Sequence, residues 1–314
     1  MVQDIIDQNP YLFNAMKTCE HQSRWHLEGT VWTHTLMVLT YVKALHPDNI
    51  PLQLIALLHD CGKPLAKTVD HLSGKTSFHG HEGLSVMLAT DILKSLDLTM
   101  QQRLDVLKVI SLHGTNVQQL HDIPYLQMFR KADQAGRLYI PLSTDTDHQP
   151  RHFLTPTEAP THTVYMMCGL PCSGKSTHAD SLGMPILSRD NLLTYTYPDM
   201  SYMEAYQYVH SDPARLQLFN RNFDKLVTQR AREQIDLVID MTHLSLKSRR
   251  SMMSRFPHAR FECIVHLPPF TKVIACNATR EGKSIPFETL IQMSKSFVIP
   301  VKQEGFDNIT YILE

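Results

Sequence analysis

The stretch LLHDCGKP, residues 57–64, closes an aliphatic run with a histidine beside an aspartate, followed by glycine and lysine. A single His-Asp pair carries little information, but its company does. His34 lies on an earlier helical stretch and Asp133 on a later one. His34, His59, Asp60 and Asp133 can therefore converge inside a helical bundle on one divalent cation. Two more imidazoles, His81 in SFHGHEGLSV and His113 in ISLHG, can hold a second cation, with His79 a neighbouring candidate. Two cations roughly 3.5–4 Å apart clamp the attacking and leaving oxygens of a phosphoester. Lys63 is placed to act with Asp60 by neutralising a substrate phosphate. Polar helix capping is the simpler use of His81 and His113. Glu28 and Glu82 read as surface acids, with ligand support or proton transfer as the alternative. Imidazole and carboxylate together suit Mn, Ni, Co, Fe, Zn or Mg, and a set without cysteine speaks against a structural zinc.

A second constellation follows at GLPCSGKST, residues 169–177, where Gly169, Gly174, Lys175 and Ser176 satisfy G-x-x-x-x-G-K-[ST]. The glycines let the backbone bend so that successive N–H groups face phosphate oxygens, and the helix beginning at Lys175 adds its positive end. Ser173 and Thr177 belong to the same nucleotide-binding loop. Lys175 is expected to reach the β- and γ-phosphates and Ser176 to ligate Mg²⁺. ATP, or another nucleoside triphosphate, is the cofactor this implies. Asp190 in ILSRDNLL follows a second predicted strand, where it can orient or deprotonate an attacking hydroxyl; a helix N-cap is the alternative. Asp240 in LVIDMTHL can assist Mg²⁺ or orient the loop. The stretch CNATREGKSIP has the layout of a lid, from which Arg280 or Lys283 can close on the phosphates. A well-placed arginine of this kind contributes about 10³–10⁵ in rate.

These residues need elements to hold them. Up to about residue 138 the apolar positions recur at spacings of three and four, as in VWTHTLMVLTYVKAL, PLQLIALLHDC and QQRLDVLKVISLHG. No strand pair is evident there, and the first domain, residues 1–140, reads as all-α. Residues 141–162 are rich in proline and threonine without apolar period, which is linker composition. From 163 to 314 short strands (TVYMMC, MPILS, DLVID, RFECIVHL, NITYIL) alternate with helices near 175–182, 213–234, 245–255, 270–281 and 286–298. That alternation predicts an α/β domain on a parallel sheet, completed by a helical lid.

Composition narrows the function classes. At 314 residues, 43% hydrophobic and 19% charged, the chain is of globular type and long enough for two domains. Six cysteines without a C-x-x-C pair exclude a disulfide scaffold or zinc-finger spacing. A net charge of −1 makes no case for strong non-specific duplex binding, so nucleic-acid contacts must be local, as at KSRR, 247–250. Thirteen of the 18 histidines precede residue 163, which places imidazole chemistry in the first half. The opening MVQDIIDQNPY is unlike a secretory leader and no apolar run reaches membrane-spanning length. A cytoplasmic protein with no membrane partner is expected.

The order His34, His59-Asp60, His81, His113, Asp133 resembles the HD superfamily of metal-dependent phosphohydrolases, with HLEGTVWTHT, LLHDCGKP and GHEGLS carrying the likeness over roughly residues 25–137. The resemblance implies hydrolysis of a phosphomonoester or cyclic phosphodiester. The order GLPCSGKST, SRD, DMTHL and N-x-x-R-x-x-x-x-x-P resembles the polynucleotide 5′-kinase branch of P-loop phosphotransferases, over most of residues 163–314. By that resemblance Asp190 is the general base for a 5′-hydroxyl and Arg280 a lid arginine. Two departures stand out: Leu193 occupies a position where the family usually has an arginine, and His243 follows Thr242 where asparagine is common. Arg189 or Arg221 can take the missing arginine's part. Together the halves resemble bifunctional RNA end-healing enzymes, whose substrates are RNA (or DNA) ends and whose products an RNA ligase joins. A small-molecule nucleoside or nucleotide kinase with an HD nucleotidase, and a nucleotide-sensing regulator with a non-catalytic HD module, are the other readings.

Overall fold

The structure, a computed structural model, describes residues 1–21, 27–115, 120, 122–137 and 160–314. Positions 141–159 of the expected linker lie outside the described residues. Two units are distinguished: described residues up to Arg137 together with Ile291–Ile299, and described residues from Pro160 to Leu290 together with Pro300–Glu314.

The first unit is built from α1 (Val2–Gln8), α2 (Pro10–Thr18), α3 (Val31–Leu45), α4 (Ile50–Leu58), the short α5 (Lys63–Ala66), α6 (His81–Lys94), α7 (Met100–Leu112) and α8 (Leu126–Ala135). Their starts are chemically marked. The Thr30 side chain accepts from the Thr33 N–H ahead of α3, and Asn49 does the same for Leu52 ahead of α4. Thr99 and Gln102 form a reciprocal capping box for α7. Helix α4 is apolar on every side, and Leu52, Leu54, Ile55, Ala56, Leu57 and Leu58 are fully buried. A helix with no polar face belongs inside a bundle, and α4 packs against α3, α7 and α8. This central helix delivers His59 and Asp60. One feature departs from the all-α expectation: β1 (Thr68–Val69) pairs antiparallel with β2 (Thr76–Ser77). Two residues per strand are too few to leave a readable alternation.

In the second unit the order is β3 (His162–Cys168), α9 (Lys175–Ser181), β4 (Ile186–Leu187), α10 (Arg189–Thr196), α11 (Tyr202–His210), α12 (Pro213–Glu233), β5 (Leu237–Ile239), α13 (Leu246–Met253), β6 (Ala259–His266), α14 (Phe270–Thr279) and β7 (Asn308–Ile312), while α15 (Phe287–Lys295) begins in this unit and belongs to the first from Ile291 on. The sheet order is β4-β5-β3-β6-β7 and every described pairing is parallel. The expected class, a helical domain followed by an α/β domain on a parallel sheet, is the one observed. Met167, Val238 and Ile264 from three strands bury Ala179 of α9 against the sheet. On β3 the connections part: β5 lies on one side and β6 on the other. Ligand crevices in open α/β sheets form at the carboxyl ends of strands at such a switch point, and the glycine loop leaves β3 there.

Candidate functional site

In the first unit, six side chains from distant stretches meet. Ligand atoms of His34, His59 and Asp133 lie within 4.8 Å of one another, and so do those of Asp60, His81 and His113. His34 projects from α3, His59 and Asp60 follow α4, His81 opens α6, His113 closes α7 and Asp133 sits on α8. Asp60 joins the two sets. Its Oδ2 is 3.2 Å from His59 Nε2 and 3.8 Å from His34 Nε2. Its Oδ1 is 3.2 Å from His81 Nε2 and 3.8 Å from His113 Nε2.

The imidazole tautomers follow from their other contacts. His59 Nδ1 is 3.0 Å from Ala56 O, His81 Nδ1 2.9 Å from Phe78 O and His113 Nδ1 2.8 Å from Ile110 O. His34 Nδ1 lies 3.1 Å from Gly136 O and 3.0 Å from Glu28 Oε1. Carbonyls and carboxylates only accept, so each Nδ1 is held by an acceptor outside the cluster and each Nε2 is turned inward. His34 and His59 then oppose Nε2 to Nε2 at 3.3 Å, as do His81 and His113. Ring nitrogens paired at that distance need a proton or a cation between them. Both Asp60 oxygens are buried and neither completes a hydrogen bond of acceptable geometry. Lys63 pairs with Oδ2, which leaves Oδ1 facing only imidazoles, and a buried carboxylate so placed is costly unless a further cation completes its surroundings. The donor set fits two divalent ions, one held by His34, His59 and Asp133, the other by His81 and His113, with one Asp60 oxygen facing each.

The charges agree with this. Burial by itself would raise the Asp60 carboxyl, but His59 and Lys63 hold it well below the usual carboxylate range. Burial would likewise lower the His34 imidazole, yet hydrogen bonds to Asp133 and Glu28 raise it to about 9. His113 goes the other way, to about 3, through burial and the neighbouring His81. Lys63 Nζ lies 2.7 Å from Asp60 Oδ2 and 2.7 Å from His21 Nε2. Arg137 pairs with Asp133 Oδ2, leaving Oδ1 toward His34 at 3.0 Å.

Several readings change. Glu28 is 9% exposed and bonded to His34, so it is a buried support rather than a surface acid. Glu82 is partly exposed and lies 3.4 Å from His81 Nδ1. His81 and His113 do hold backbone carbonyls as caps would, but with Nδ1, and their Nε2 atoms go to the cluster. His79 is exposed and outside it. His21, buried against Lys63, carries no motif and escaped notice. So did Phe129, whose ring stands edge-on 5.0 Å from His59 and walls the site with apolar surface.

In the second unit, the loop after β3 folds on itself. Gly169 has φ +145°, and a Cβ there would lie 2.5 Å from His266 O; Gly174 has φ +94°. Neither position accepts a side chain without strain. Lys175 is buried, its Nζ donating to Leu170 O at 2.6 Å and to Ser173 Oγ at 3.4 Å. Burial lowers its pKa to about 8. Ser176 Oγ donates to Asp240 Oδ2 at 2.7 Å, the pairing of hydroxyl and strand-end carboxylate that holds Mg²⁺ in P-loop sites. Thr177 is exposed in the first turn of α9. Thr242 O accepts from Gly169 N at 3.0 Å, and buried His243 bonds Met167 O through Nδ1. The position after Thr242 therefore supports the loop from beneath. Arg280, just past α14, lies near the Cys172 thiol of the loop.

Asp190 is not the N-cap of α10; Ser188 is, accepting from Asn191 N–H. The Asp190 carboxylate instead takes the Tyr202 hydroxyl at 3.0 Å and Lys283 Nζ at 3.2 Å. Lys283 thus lies on Asp190 in this structure. Leu193 is 3% exposed in a cluster with Ala205, Val209 and Phe219, a core role no cation could fill. Arg189 donates to Asn220 and lies over the Phe219 and Phe223 rings, 5.0 Å from each. Arg221 is exposed on α12.

Comparison with known proteins matches the same two segments. Residues 31–136 match the HD domain family model and residues 164–300 match an AAA domain model. A stretch of 74 residues is 38% identical to an A-adding tRNA nucleotidyltransferase of Deinococcus radiodurans, covering 23% of this chain and 17% of that protein. The chain thus spans about a sixth of that curated relative's length. Among solved structures, a sugar kinase of Janibacter sp. HTCC2649 is similar at TM-score 0.32 and 16% identity, over 50% of this chain and 85% of that one. A putative kinase of Chloroflexus aurantiacus gives TM-score 0.31 and 12% identity, over 48% and 88%. The chain thus carries an HD domain followed by a P-loop domain. Among the described residues no helix is long and apolar enough to cross a membrane.

Proposed function

We propose that this protein heals RNA ends: the HD half opens a 2′,3′-cyclic phosphate and removes the resulting monoester, and the P-loop half phosphorylates a 5′-hydroxyl with ATP. The observation that carries the reading is the pair of cation seats joined by Asp60, in one chain with a glycine loop facing the Ser176–Asp240 pair. Divalent ions, when bound, polarise phosphate oxygens and bring the pKa of a bound water toward neutrality. The protein's own groups do the rest. The four imidazoles present Nε2 to the cluster because each Nδ1 is held by a backbone carbonyl and, for His34, by Glu28 as well. Lys63 supplies positive charge beside Asp60, and Phe129 keeps bulk water off His59.

In the P-loop half, Lys175 is to leave Leu170 O for the donor phosphates, with Ser176 and Asp240 keeping Mg²⁺ beside them. Asp190 takes the proton of the attacking hydroxyl once Lys283 moves off its Oδ2. Arg280, already beside the loop, neutralises charge on the transferring group. Recognition of an end through phosphate and sugar suits a chain without net positive charge. The products are ends that an RNA ligase joins, in keeping with a cytoplasmic role.

The test is an oligoribonucleotide with a 5′-hydroxyl and a 2′,3′-cyclic phosphate, incubated with γ-labelled ATP and Mg²⁺, Mn²⁺ or Ni²⁺. Both ends should change, label appearing at the 5′ end and phosphate leaving the 3′ end. Lys175→Ala should abolish labelling and spare dephosphorylation. If it removes both activities from a folded protein, the two-site reading fails. A nucleoside or nucleotide kinase paired with an HD nucleotidase is the second reading, favoured by the apolar burial of Leu193. It predicts that a mononucleoside outcompetes the oligonucleotide as acceptor.

A further inference from the structure

A stack of aromatic rings leads away from Asp190. Tyr202, Tyr206 and His210 recur every fourth residue on α11 and so share one face of the helix. Tyr202 and Tyr206 are stacked with centroids 6.2 Å apart and planes 25° from parallel. Tyr206 and His210 are stacked at 3.9 Å and 20°. Ala205 and Val209 of α11 are buried with Leu193 and Phe219, and Tyr202 packs against the same cluster, so packing anchors the inner ring while Tyr206 and His210 lie exposed. Tyr206 is 41% exposed. The inner end of the stack meets the chemistry: the Tyr202 hydroxyl bonds Asp190, and Lys283 Nζ sits 3.8 Å over the Tyr202 ring.

We propose that this face is the track of a single-stranded acceptor, with the 5′-terminal hydroxyl at Asp190 and the following bases packed along Tyr202, Tyr206 and His210. The inference rests on the kinase reading above and adds to it the length and strandedness of the substrate. Every base offers a π-face, so aromatic platforms bind single strands without choosing sequence. The eight steps from Tyr202 to His210 rise ~12 Å, the span of about three stacked nucleotides at ~3.4 Å each. The acidic groups along the helix are otherwise engaged. Glu204 caps the Ser201 N–H, and Asp212 caps Ala214 and pairs with Arg215. A duplex, whose bases are already stacked on each other, cannot use such a face.

The test measures binding and turnover separately on the full chain. Binding of a fluorescein-labelled 12-nucleotide single-stranded RNA is followed by anisotropy for wild type, Tyr206→Phe, Tyr206→Ala and His210→Ala. Loss of a stacked base should weaken binding by roughly 5- to 150-fold in each alanine variant, and Tyr206→Phe, which keeps the ring, should retain it. In turnover, KM for the oligonucleotide should rise with the alanine substitutions, and the effect should shrink as the acceptor is shortened to a mononucleoside. Unchanged RNA binding in both alanine variants would overturn the track and leave the face to a protein partner. Phosphorylation that is lost in Asp190→Asn yet indifferent to Tyr206→Ala and His210→Ala would overturn it while leaving the kinase reading intact. RNA binding that falls with the rings in a protein that transfers no phosphate would keep the track and end the kinase reading.

Discussion

Glu28 shows how residues outside a motif complete it. It holds the Nδ1 side of His34, which fixes the ring that faces His59 and Asp133. Partners of this kind typically govern 10–100-fold in metal affinity or activity. Glu28→Gln should therefore weaken metal binding by about that factor, read by competition with a chelating dye, with phosphohydrolysis falling in parallel. Metal affinity unchanged in Glu28→Gln would show that His34 needs no such anchor. The six cluster residues themselves were legible in the sequence because each sits in a local pattern, a helix end or a His-Asp pair. Glu28 was not, because nothing in HLEGTVWTHT says that the chain between Gly29 and Val31 turns its acid inward. Asp190 was legible as a candidate, but its partner Tyr202 lies on another helix and no spacing rule links them.

At the scale of elements, tight backbone approach sets the histidine–aspartate cluster. Gly83, in the helix that His81 opens, leaves only 2.2 Å between a built Cβ and Ser294 O, with Phe297 O at 2.8 Å. Backbone cannot yield as a flexible side chain can, and overpacking costs about 1–3 kcal/mol or more. Gly83→Ala should lower the melting temperature and weaken metal binding together; thermal melts with and without Mn²⁺ would check this. In the second unit, Arg249 is fully buried and bidentate to Glu304 at 2.7 Å, while also donating to His243 O. Removing one partner of such a pair costs about 3–5 kcal/mol. Arg249→Met should destabilise by that amount in urea unfolding and loosen the support beneath the phosphate loop. Most helices and all five strands of the second unit could be read from periodicity. Helix α11 could not: YMEAYQYVH carries three tyrosines and a valine, residues of strand propensity. Its one helical signal was the Ser201–Glu204 capping box, which the structure forms.

At the scale of the whole chain, the first unit draws on residues far down the sequence. Ser294, Phe297 and Ile299 are buried, and Ile299 N donates to Ser111 Oγ at 2.9 Å on α7, two residues before His113. A fragment ending at residue 152 would lose a buried phenylalanine and its neighbours. Deleting such a ring costs about 3–5 kcal/mol. The fragment should melt roughly 10 °C or more below the same unit in the full chain, by calorimetry. Equal melting temperatures would mean that Ile291–Ile299 adds nothing to this unit. That dependence was invisible in the sequence, where FVIP reads as the end of a helix in the other half. The account stands or falls on Asp60 joining two cation seats. Metal content of the purified full-length chain, saturated with Mn²⁺ or Ni²⁺ and desalted, measures this directly. About two HD-site equivalents per chain in wild type, falling to one or fewer in Asp60→Asn with the fold retained, is the expected result. A wild-type chain that retains no metal, or an Asp60→Asn chain that keeps both ions, would contradict it.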